Sequence, residues 1–357
     1  MSQLPRYDIT QSYQWNYDHS PGPVERDVPS MPGNWSFCGL PVPSPLGIAA
    51  GPLLNGDWCL YYASLGFDIL TYKTVRSSGR ICYDPPNLQP VKTGPLFGGE
   101  KNIPIAGELT DSWAVSFGMP SREPGDWQKD VERTRTLLPK EKLLVVSVVA
   151  SEQPGWTIDD LAADYALTAK MAAEHGADIV EMNFSCPNVS SCDGQLYMNA
   201  ADSTLVTQQA RDAIGPNLPL AIKIGHLTDQ VTAEQLIDGV SPFATALVTT
   251  NGIAATVVDQ NNRPLYDGRP RGICGAAIRD ASIQQVQMMR DIIEKQQSNL
   301  KLIGVSGIST AADVDRYLEA GAEAVELATA VMLDPEVALK IRAEKNGSAQ
   351  DFEPTRE

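Results

Sequence analysis

Residues 178–188 read D-I-V-E-M-N-F-S-C-P-N, and this stretch decides the fold because an apolar run ends in a tight polar turn. Asp178–Asn183 has the apolar content of a buried strand, and Pro187 blocks further strand pairing. The turn carries two carboxamides and a thiol, which can bind a planar polar ligand and move a proton. We therefore expect a site at the carboxyl end of this strand.

Apolar runs of the same kind recur along the chain, with amphipathic stretches between them. The predicted strands are Leu46–Gly51, Asp68–Lys73, Leu143–Val149, Asp178–Asn183, Leu220–Ile224, Thr245–Thr250, Lys301–Val305 and Ala324–Ala328. The predicted helices are Trp58–Leu65, Asp126–Leu138, Ile158–His175, Ser203–Ile214, Ala233–Asp238, Ser282–Gln296, Ala311–Ala320 and Pro335–Lys345. This alternation predicts an α/β fold, a (β/α)8 TIM barrel. An open doubly wound sheet is the alternative, and it is disfavoured because no Gly-x-Gly-x-x-Gly follows the first strand.

Residues 1–45 precede the predicted barrel of residues 46–345, and residues 346–357 form a predicted flexible tail. The first segment is rich in Pro, Trp and Tyr and lacks helical periodicity, so we expect an extended N-terminal arm on the barrel or on a second subunit. Its aromatic residues are candidate anchors for a homodimer interface.

Long connections follow three of the predicted strands, namely Thr74–Gly125, Ser185–Asp202 and Asn251–Ala281. All leave the carboxyl ends of strands, which is the face of such barrels that houses chemistry. We therefore expect long loops to cover a site there. Residues 93–102, T-G-P-L-F-G-G-E-K-N, are predicted to form an exposed hairpin or lid.

Composition excludes several kinds of partner. A hydrophobic content of 43%, with 20% charged residues, is typical of a globular chain. The net charge of −16 and the absence of a basic stretch argue against nucleic acid. No apolar run reaches the length of a membrane span and no cleavable secretion signal is present, so we expect a cytoplasmic protein with no membrane contact. The six cysteines include no C-x-x-C pair, so no metal site is predicted.

Buried lysines and small residues point to an anionic ligand. Lys73 ends the second predicted strand and Lys223 lies in the apolar run L-A-I-K-I-G, where a cation is costly unless it has a negative or polar partner. G-V-S-G-I-S-T (304–310) and L-A-T-A (327–330) follow the last two predicted strands. Small residues at this position let backbone amides approach a phosphate, which favours a phosphorylated cofactor.

The motifs together resemble the dihydroorotate dehydrogenase family over roughly residues 40–345. They are I-A-A-G (48–51), Y-K-T (72–74), S-F-G-M-P (116–120), N-F-S-C-P-N (183–188), I-K-I (222–224), T-N-G-I (250–253), G-I-C-G (272–275) and S-G-I (306–308). The cysteine in N-F-S-C-P-N makes the chain similar to the soluble branch that uses cysteine as its base. It is also similar to the pyrimidine-reducing domain of dihydropyrimidine dehydrogenase.

The resemblance implies an FMN enzyme in which Cys186 takes a proton from C5 of a dihydropyrimidine while a hydride leaves C6 for flavin N5. Lys73 would assist as a donor to flavin and substrate, and Lys223 would lie by the flavin N1/O2 edge. The implied cofactor contacts are Ala49, Ala50, Gly51, Lys73, Thr74, Asn183, Lys223, Thr250, Gly275, Ser306, Gly307, Ala328 and Thr329. The implied substrate contacts are Lys73, Phe117, Gly118, Met119, Asn183, Asn188, Asn251 and Gly252.

Departures from the family pattern bear on the substrate. Val115 stands where the family usually has an asparagine, and Gly252, Cys274 and Ala328 also differ from common residues. We expect dihydroorotate or a close analogue, and Cys192 is expected to be a second loop thiol without a role. The alternatives are an FMN-dependent reductase of another cyclic amide or activated alkene, and a non-catalytic FMN-barrel binding protein.

The resemblance also implies partners. A homodimer is expected, and an electron-transfer partner subunit is one of several routes for the electrons. Fumarate, a nicotinamide cofactor through that subunit, quinone and oxygen all stay open as acceptors.

Overall fold

Eight parallel strands close into a barrel in the computed structural model, which describes residues 4–185 and 195–347. The strands are β1 (Trp35–Phe37), β2 (Leu40–Val42), β3 (Leu46–Ile48), β4 (Ile69–Val75), β5 (Leu88–Pro90), β6 (Ile103–Pro104), β7 (Ser112–Val115), β8 (Leu143–Val148), β9 (Ile179–Asn183), β10 (Leu220–Ile224), β11 (Ala246–Thr249), β12 (Ile253–Ala255), β13 (Val257–Val258), β14 (Arg271–Gly275), β15 (Lys301–Val305) and β16 (Ala324–Leu327). The helices are α1 (Tyr13–Asp18), α2 (Gly56–Ser64), α3 (Pro124–Leu137), α4 (Ile158–Glu174), α5 (Ala200–Ile214), α6 (Gln230–Val240), α7 (Arg279–Gln296), α8 (Ala311–Ala320), α9 (Thr329–Leu333) and α10 (Val337–Lys345).

The barrel strands follow one another in chain order, and the last one pairs with the first. The order is β3, β4, β8, β9, β10, β11, β15 and β16, with helices in the connections between them. The predicted TIM barrel is therefore confirmed. Strands β10 and β15 and helix α8 have the predicted bounds, and the other predicted strands differ only at their ends.

Local signals set several helix ends. Helix α4 starts with a capping box in which Thr157 and Asp160 exchange hydrogen bonds, and α8 starts with the same device at Thr310 and Asp313. Gly321 ends α8 with a φ of 113°, a conformation that favours glycine. The short helix α9 was not predicted, because it directly follows β16 and is too short to show a helical repeat.

The β1–β2 hairpin closes the amino-terminal end of the barrel. Its side chains Phe37 and Val42 belong to one buried cluster with Ile69, Ile179 and Ala324, which are the first residues of barrel strands or lie next to them. The barrel interior is thus filled with apolar side chains at this end. Among the described residues, the hairpin therefore closes this end of the barrel to a ligand.

The N-terminal arm contacts its own barrel and contains a helix. The predicted arm is not extended throughout, because α1 spans six of its residues. Ser12 caps this helix by accepting a hydrogen bond from the Trp15 amide, and Asn16 donates to the Asp8 carbonyl. Helix α1 is then held to α2 by the Trp58 indole, which donates to the Asn16 carbonyl at 3.1 Å. These tertiary contacts, rather than an amphipathic repeat, determine the helix.

Two of the long loops combine into one small antiparallel sheet over the barrel. This cover sheet has the order β12-β14-β7-β5, with Gly272 opposite Val115. Strands β5 and β7 come from the loop after β4, and β12 and β14 from the loop after β11. Residues 93–102 form no hairpin; Leu96 is buried and its amide donates to the Ala277 carbonyl at 2.8 Å. The predicted cover therefore exists, but strand pairing between distant loops builds it.

No helix within the described ranges is both long and apolar enough to cross a membrane.

A buried ion pair fastens the last helix to the base of the barrel. Asp68, whose side chain is 2% exposed, accepts hydrogen bonds from Arg342 and from Ser44, and Lys142 lies 2.6 Å from it. The Arg342 guanidinium also donates to the Gly66 carbonyl at 2.7 Å. Because these groups are desolvated, each depends on its partners.

The Asp68→Asn substitution is expected to lower the free energy of unfolding by about 3–5 kcal/mol, because it leaves the buried Arg342 without its counter-charge. Denaturant unfolding followed by circular dichroism measures this change. The matched control is Asp334→Asn, which breaks an exposed pair with Lys340 and should cost less than about 1 kcal/mol. Equal effects of the two substitutions would contradict the assignment of a structural ion pair.

Candidate active site

A cavity opens at the carboxyl ends of the barrel strands, beneath the cover sheet. Its volume, including the open mouth, is about 1330 Å³. Residues from the ends of β3, β4, β9 and β10 line it together with residues of the cover sheet and of the loops after β15 and β16. This is the end of the barrel that the β1–β2 hairpin leaves open. Clefts of this kind are the usual place for ligands in barrel proteins.

Lys73 lies at the end of β4 and points into the cavity among aromatic rings. Its ammonium is 4.9 Å from the centre of the Phe117 ring and 5.7 Å from that of Tyr13. It also donates to the Gly51 carbonyl at 3.4 Å. The electron-rich ring faces and the carbonyl stabilise a cation that is only 7% exposed.

Lys223 lies inside the barrel with two buried glutamates, and we call Glu181, Lys223 and Glu326 the buried charge cluster. The Lys223 Nζ is 3.6 Å from Glu326 Oε2, and the Thr71 hydroxyl donates to Glu326 Oε1 at 2.6 Å. Burial alone would lower the pKa of Lys223, but the charges of Glu181 and Glu326 outweigh burial and raise it above its usual value. Lys223 is therefore a cation that faces the cavity.

Glu326 shows the complementary effect. Burial raises the pKa of its carboxyl group, Lys223 opposes that rise, and the like charge of Glu181 adds to it. Glu181 is fully buried and also lines the cavity. Neither of its carboxylate oxygens has a hydrogen-bond partner within the described part of the chain.

Two asparagines meet at the other side of the cavity. Asn183 ends β9, and its Oδ1 accepts hydrogen bonds from the Ser185 amide at 3.2 Å and from Asn251 Nδ2 at 3.3 Å. Asn251 Nδ2 also donates to Ser185 Oγ at 3.1 Å. The Tyr165 hydroxyl donates a hydrogen bond to the Asn183 backbone carbonyl at 2.8 Å. The two carboxamides are therefore fixed side by side with polar atoms toward the cavity.

Small residues form the far end of the cavity. Ser306 and Gly307 follow β15 with positive φ values of 106° and 68°, and both line the cavity. Ala328 and Thr329 follow β16 and line it as well. The two turns therefore meet at one place, as predicted for a phosphate site.

The cavity brings together most of the residues that the sequence predicts for the site. Those that line it are Ala49, Ala50, Gly51, Lys73, Thr74, Phe117, Gly118, Met119, Asn183, Lys223, Asn251, Gly252, Gly275, Ser306, Gly307, Ala328 and Thr329. Thr250 does not line it: its hydroxyl pairs with that of Thr249 at 2.9 Å, and its carbonyl accepts from Ser306 Oγ at 2.7 Å. Cys186, Asn188 and Cys192 lie outside the described residues.

Comparison with known proteins identifies the family. A family model described as dihydroorotate dehydrogenase matches residues 104–346. A dihydroorotate dehydrogenase from Dictyostelium discoideum is 32% identical, over 94% of this chain and 96% of its own length. The chain belongs to the dihydroorotate dehydrogenase family. It is thus an oxidoreductase of pyrimidine metabolism that acts on CH–CH bonds.

Other relatives are more distant. The catalytic subunit of dihydroorotate dehydrogenase B (NAD(+)) from Desulforudis audaxviator is 27% identical, over 87% of this chain and 90% of its own length. The NAD-dependent dihydropyrimidine dehydrogenase subunit PreA of Escherichia coli is 24% identical, over 83% of this chain and 68% of its own length. A crystal structure of DHODH from Eimeria tenella, in complex with ferulenol, shares the fold with a TM-score of 0.73 at 18% identity, covering 93% of this chain and 88% of that one.

Two glutamates of this site, Glu181 and Glu326, and its apolar wall were not identified from the sequence. Glu181 was visible as an acidic residue in an apolar strand, two positions before Asn183 and therefore on the same face. Glu326 had the same signal in β16. Trp113 and Val115 line the cavity because β7 joins the cover sheet, and no local pattern indicates that pairing.

In the described part of the chain, no group of three or more His, Cys, Asp and Glu side chains could hold a metal ion.

Two glycines of the cavity wall allow a matched test of the local packing. A Cβ atom at Gly275 would lie 2.0 Å from the Asp111 carbonyl oxygen, and its φ is 93°. A Cβ atom at Gly51 would meet nothing within 4 Å. We expect Gly275→Ala to lower the free energy of unfolding by at least about 2 kcal/mol, and Gly51→Ala to change it by less than about 0.5 kcal/mol. Thermal and denaturant unfolding measure both, and a neutral Gly275→Ala would show that the wall is placed differently.

Proposed function

We propose that this protein is an FMN-dependent, dihydroorotate dehydrogenase-like enzyme that oxidises a dihydropyrimidine at its C5–C6 bond. The observation that carries this proposal is the convergence of Lys73, Lys223, Asn183 and Asn251 on one cavity at the carboxyl end of the barrel. These residues supply two cations and two carboxamides to a planar, polar ligand. Membership of the dihydroorotate dehydrogenase family supports a pyrimidine as that ligand.

The cavity fits FMN. One wall consists of Ala49, Ala50 and Gly51, and the absence of atoms within 4 Å of a Cβ at Gly51 leaves space for a flat ring. The far end, at Gly307 and Ala328, is built from small residues whose backbone amides can approach a phosphate.

When bound, FMN supplies a hydride acceptor at its N5 atom. The role of Lys223 is to hold a positive charge at the flavin N1/O2 edge, where the reduced cofactor carries negative charge. The ammonium can do so because Glu181 and Glu326 raise its pKa. Lys73, held by Gly51 and by the Phe117 ring, would donate to flavin and substrate.

We assign the catalytic base to Cys186, which lies outside the described residues. The resemblance to the cysteine-using branch supports this role. The neighbouring Ser185 adds support, because Asn183 and Asn251 tie it to the edge of the cavity. Ser185, which directly precedes Cys186 in the sequence, therefore lies at the edge of the cavity. A thiol works as a base when its thiolate is stabilised and water is excluded.

Val115 gives the second candidate function its support. This valine lines the cavity where the family usually places a carboxamide, next to Trp113 and Leu88. A ligand group that needs this carboxamide would lose about 1–3 kcal/mol if it stayed buried without a partner. An apolar side chain at this position favours a substrate that lacks the carboxylate of dihydroorotate, such as dihydrouracil or another cyclic amide. The similarity to a dihydropyrimidine dehydrogenase subunit agrees with this candidate.

The homodimer and the electron-transfer partner subunit stay predictions. One relative is a catalytic subunit by name, which supports a partner subunit as the route by which electrons leave the flavin in this protein too.

A visible spectrum of the purified protein, followed by anaerobic titration, tests the proposed function. We expect a flavin spectrum, released FMN on denaturation, and bleaching by a dihydropyrimidine. Parallel titrations with dihydroorotate and dihydrouracil decide between the two substrates, since only the true substrate should bleach the flavin at low concentration. A protein that takes up no FMN, or a bound flavin that neither compound reduces, would overturn the proposal.

Cys186→Ala should slow flavin reduction by about 10²–10⁴-fold while ligand binding persists, because the proton acceptor is lost but the binding groups remain. Stopped-flow reduction and ligand-induced changes of the flavin spectrum measure the two effects separately. Cys274→Ala is the matched control, since Cys274 is a second thiol that lines the cavity. If Cys274→Ala slows reduction and Cys186→Ala does not, the base has been assigned to the wrong thiol.

A further inference from the structure

The buried charge cluster contains more negative than positive groups. Glu181 and Glu326 are fully buried, and Lys223 is 4% exposed. Lys223 lies 3.6 Å from Glu326 Oε2. Among the described residues, no other cation lies within ion-pair distance of Glu326, and none lies within that distance of Glu181. Two ionised carboxylates and one ammonium would leave a net negative charge inside the barrel. Such a charge is costly in a medium that water does not reach.

Neighbouring groups do not remove this excess. From the β1–β2 hairpin below, the Cys38 thiol stays protonated, because burial and then Glu323, Glu326 and Glu181 raise its pKa. From the cover sheet above, Cys274 lies near Lys223 and carries no positive charge. From β4, the Thr71 hydroxyl gives Glu326 a single hydrogen bond. The charge excess therefore has to be met within the cluster itself.

Hydrogen bonding points to the same conclusion. Both oxygens of Glu181 and the Oε2 oxygen of Glu326 have no hydrogen-bond partner among the described residues. A buried ionised carboxylate normally accepts several hydrogen bonds, whereas a protonated one needs fewer and can donate one. Two buried carboxyl groups whose charges act on each other lower their energy when one of them keeps a proton.

We propose that Glu181 and Glu326 hold one proton between them, so that the buried charge cluster is neutral overall while Lys223 stays cationic. The assignment of the cofactor edge above this cluster rests on the proposed function. When the proton is present, Lys223 offers its full charge to an electron-rich ligand. When the proton leaves, the cluster gains a negative charge, and such a ligand binds less well.

Linkage fixes the sign of the pH dependence. Because an electron-rich ligand favours the protonated pair, its binding raises the pKa of the pair. The ligand's affinity is therefore highest below the pKa of the pair and falls as the pH rises through it. If ligand binding raises that pKa by about one unit, the affinity changes by about tenfold across the transition.

The test measures the dissociation constant of FMN for the full-length protein, freed of flavin, at a series of pH values by quenching of flavin fluorescence. The phosphate of FMN also titrates, so the informative quantity is the ratio of the constants of wild type and variant. We expect the wild-type dissociation constant divided by that of Glu326→Gln to rise about tenfold with pH, because the cluster of the variant cannot lose the proposed proton. Glu323→Gln is the matched control. Glu323 precedes β16, accepts a hydrogen bond from Ser36 Oγ and makes no ion pair with Lys223. The ratio of wild-type to Glu323→Gln constants should therefore stay the same at every pH. A constant ratio for Glu326→Gln overturns the proposal.

Thr71→Val gives an independent result if Glu326→Gln does not fold. The hydroxyl of Thr71 stabilises the ionised form of Glu326, so its loss should move the transition to higher pH while leaving its size similar. A purely structural role of Thr71 would change the affinity by the same factor at every pH. An unshifted transition contradicts the proposal.

Infrared spectroscopy of the protein without flavin separates this proposal from the proposed function. At neutral pH we expect the carbonyl stretch of a buried carboxylic acid in the wild type and its loss in both Glu326→Gln and Glu181→Gln. If the protein binds no FMN but shows this band, the proposed function fails and the shared proton stands. If FMN binds but the band is absent in the wild type, the shared proton is refuted alone.

Discussion

A lysine held as a cation inside the barrel is the constraint on which the site depends. Burial alone would lower the pKa of Lys223, and the charges of Glu181 and Glu326 outweigh burial and raise it. Closure of the barrel places these three residues in one interior. Strand β9, which carries Glu181, pairs with β10, which carries Lys223, and β16 with Glu326 belongs to the same closed barrel. A charge placed this way can act strongly on a ligand because water does not screen it.

The β1–β2 hairpin, the cover sheet and the N-terminal arm enclose this interior. The β1–β2 hairpin fills the amino-terminal end of the barrel with apolar side chains. At the carboxyl end, the cover sheet and the N-terminal arm surround the cavity, and Tyr13 of the arm reaches the region of Lys73. Polar groups that would be weak at a surface are thereby desolvated, and each must find a partner.

Family membership and local departures answer different questions. Membership of the dihydroorotate dehydrogenase family determines the class of reaction. Val115 gives one wall of the cavity an apolar surface. Because a buried hydrogen bond discriminates between ligands more strongly than an apolar contact does, this one position bears most on the choice of substrate.

The sequence by itself determined the barrel and most of the residues that line its mouth, because strand alternation, helix caps such as Thr157 and the motif at residues 183–188 are local signals. Only the tertiary structure decided the cover sheet, the helix α1 in the arm and the buried charge cluster. Each of these depends on contacts between residues far apart in the chain: Thr71 and Glu326, which share a hydrogen bond, are 255 positions apart. A local pattern marks a side chain as buried, but only closure of the barrel decides which charges are buried together.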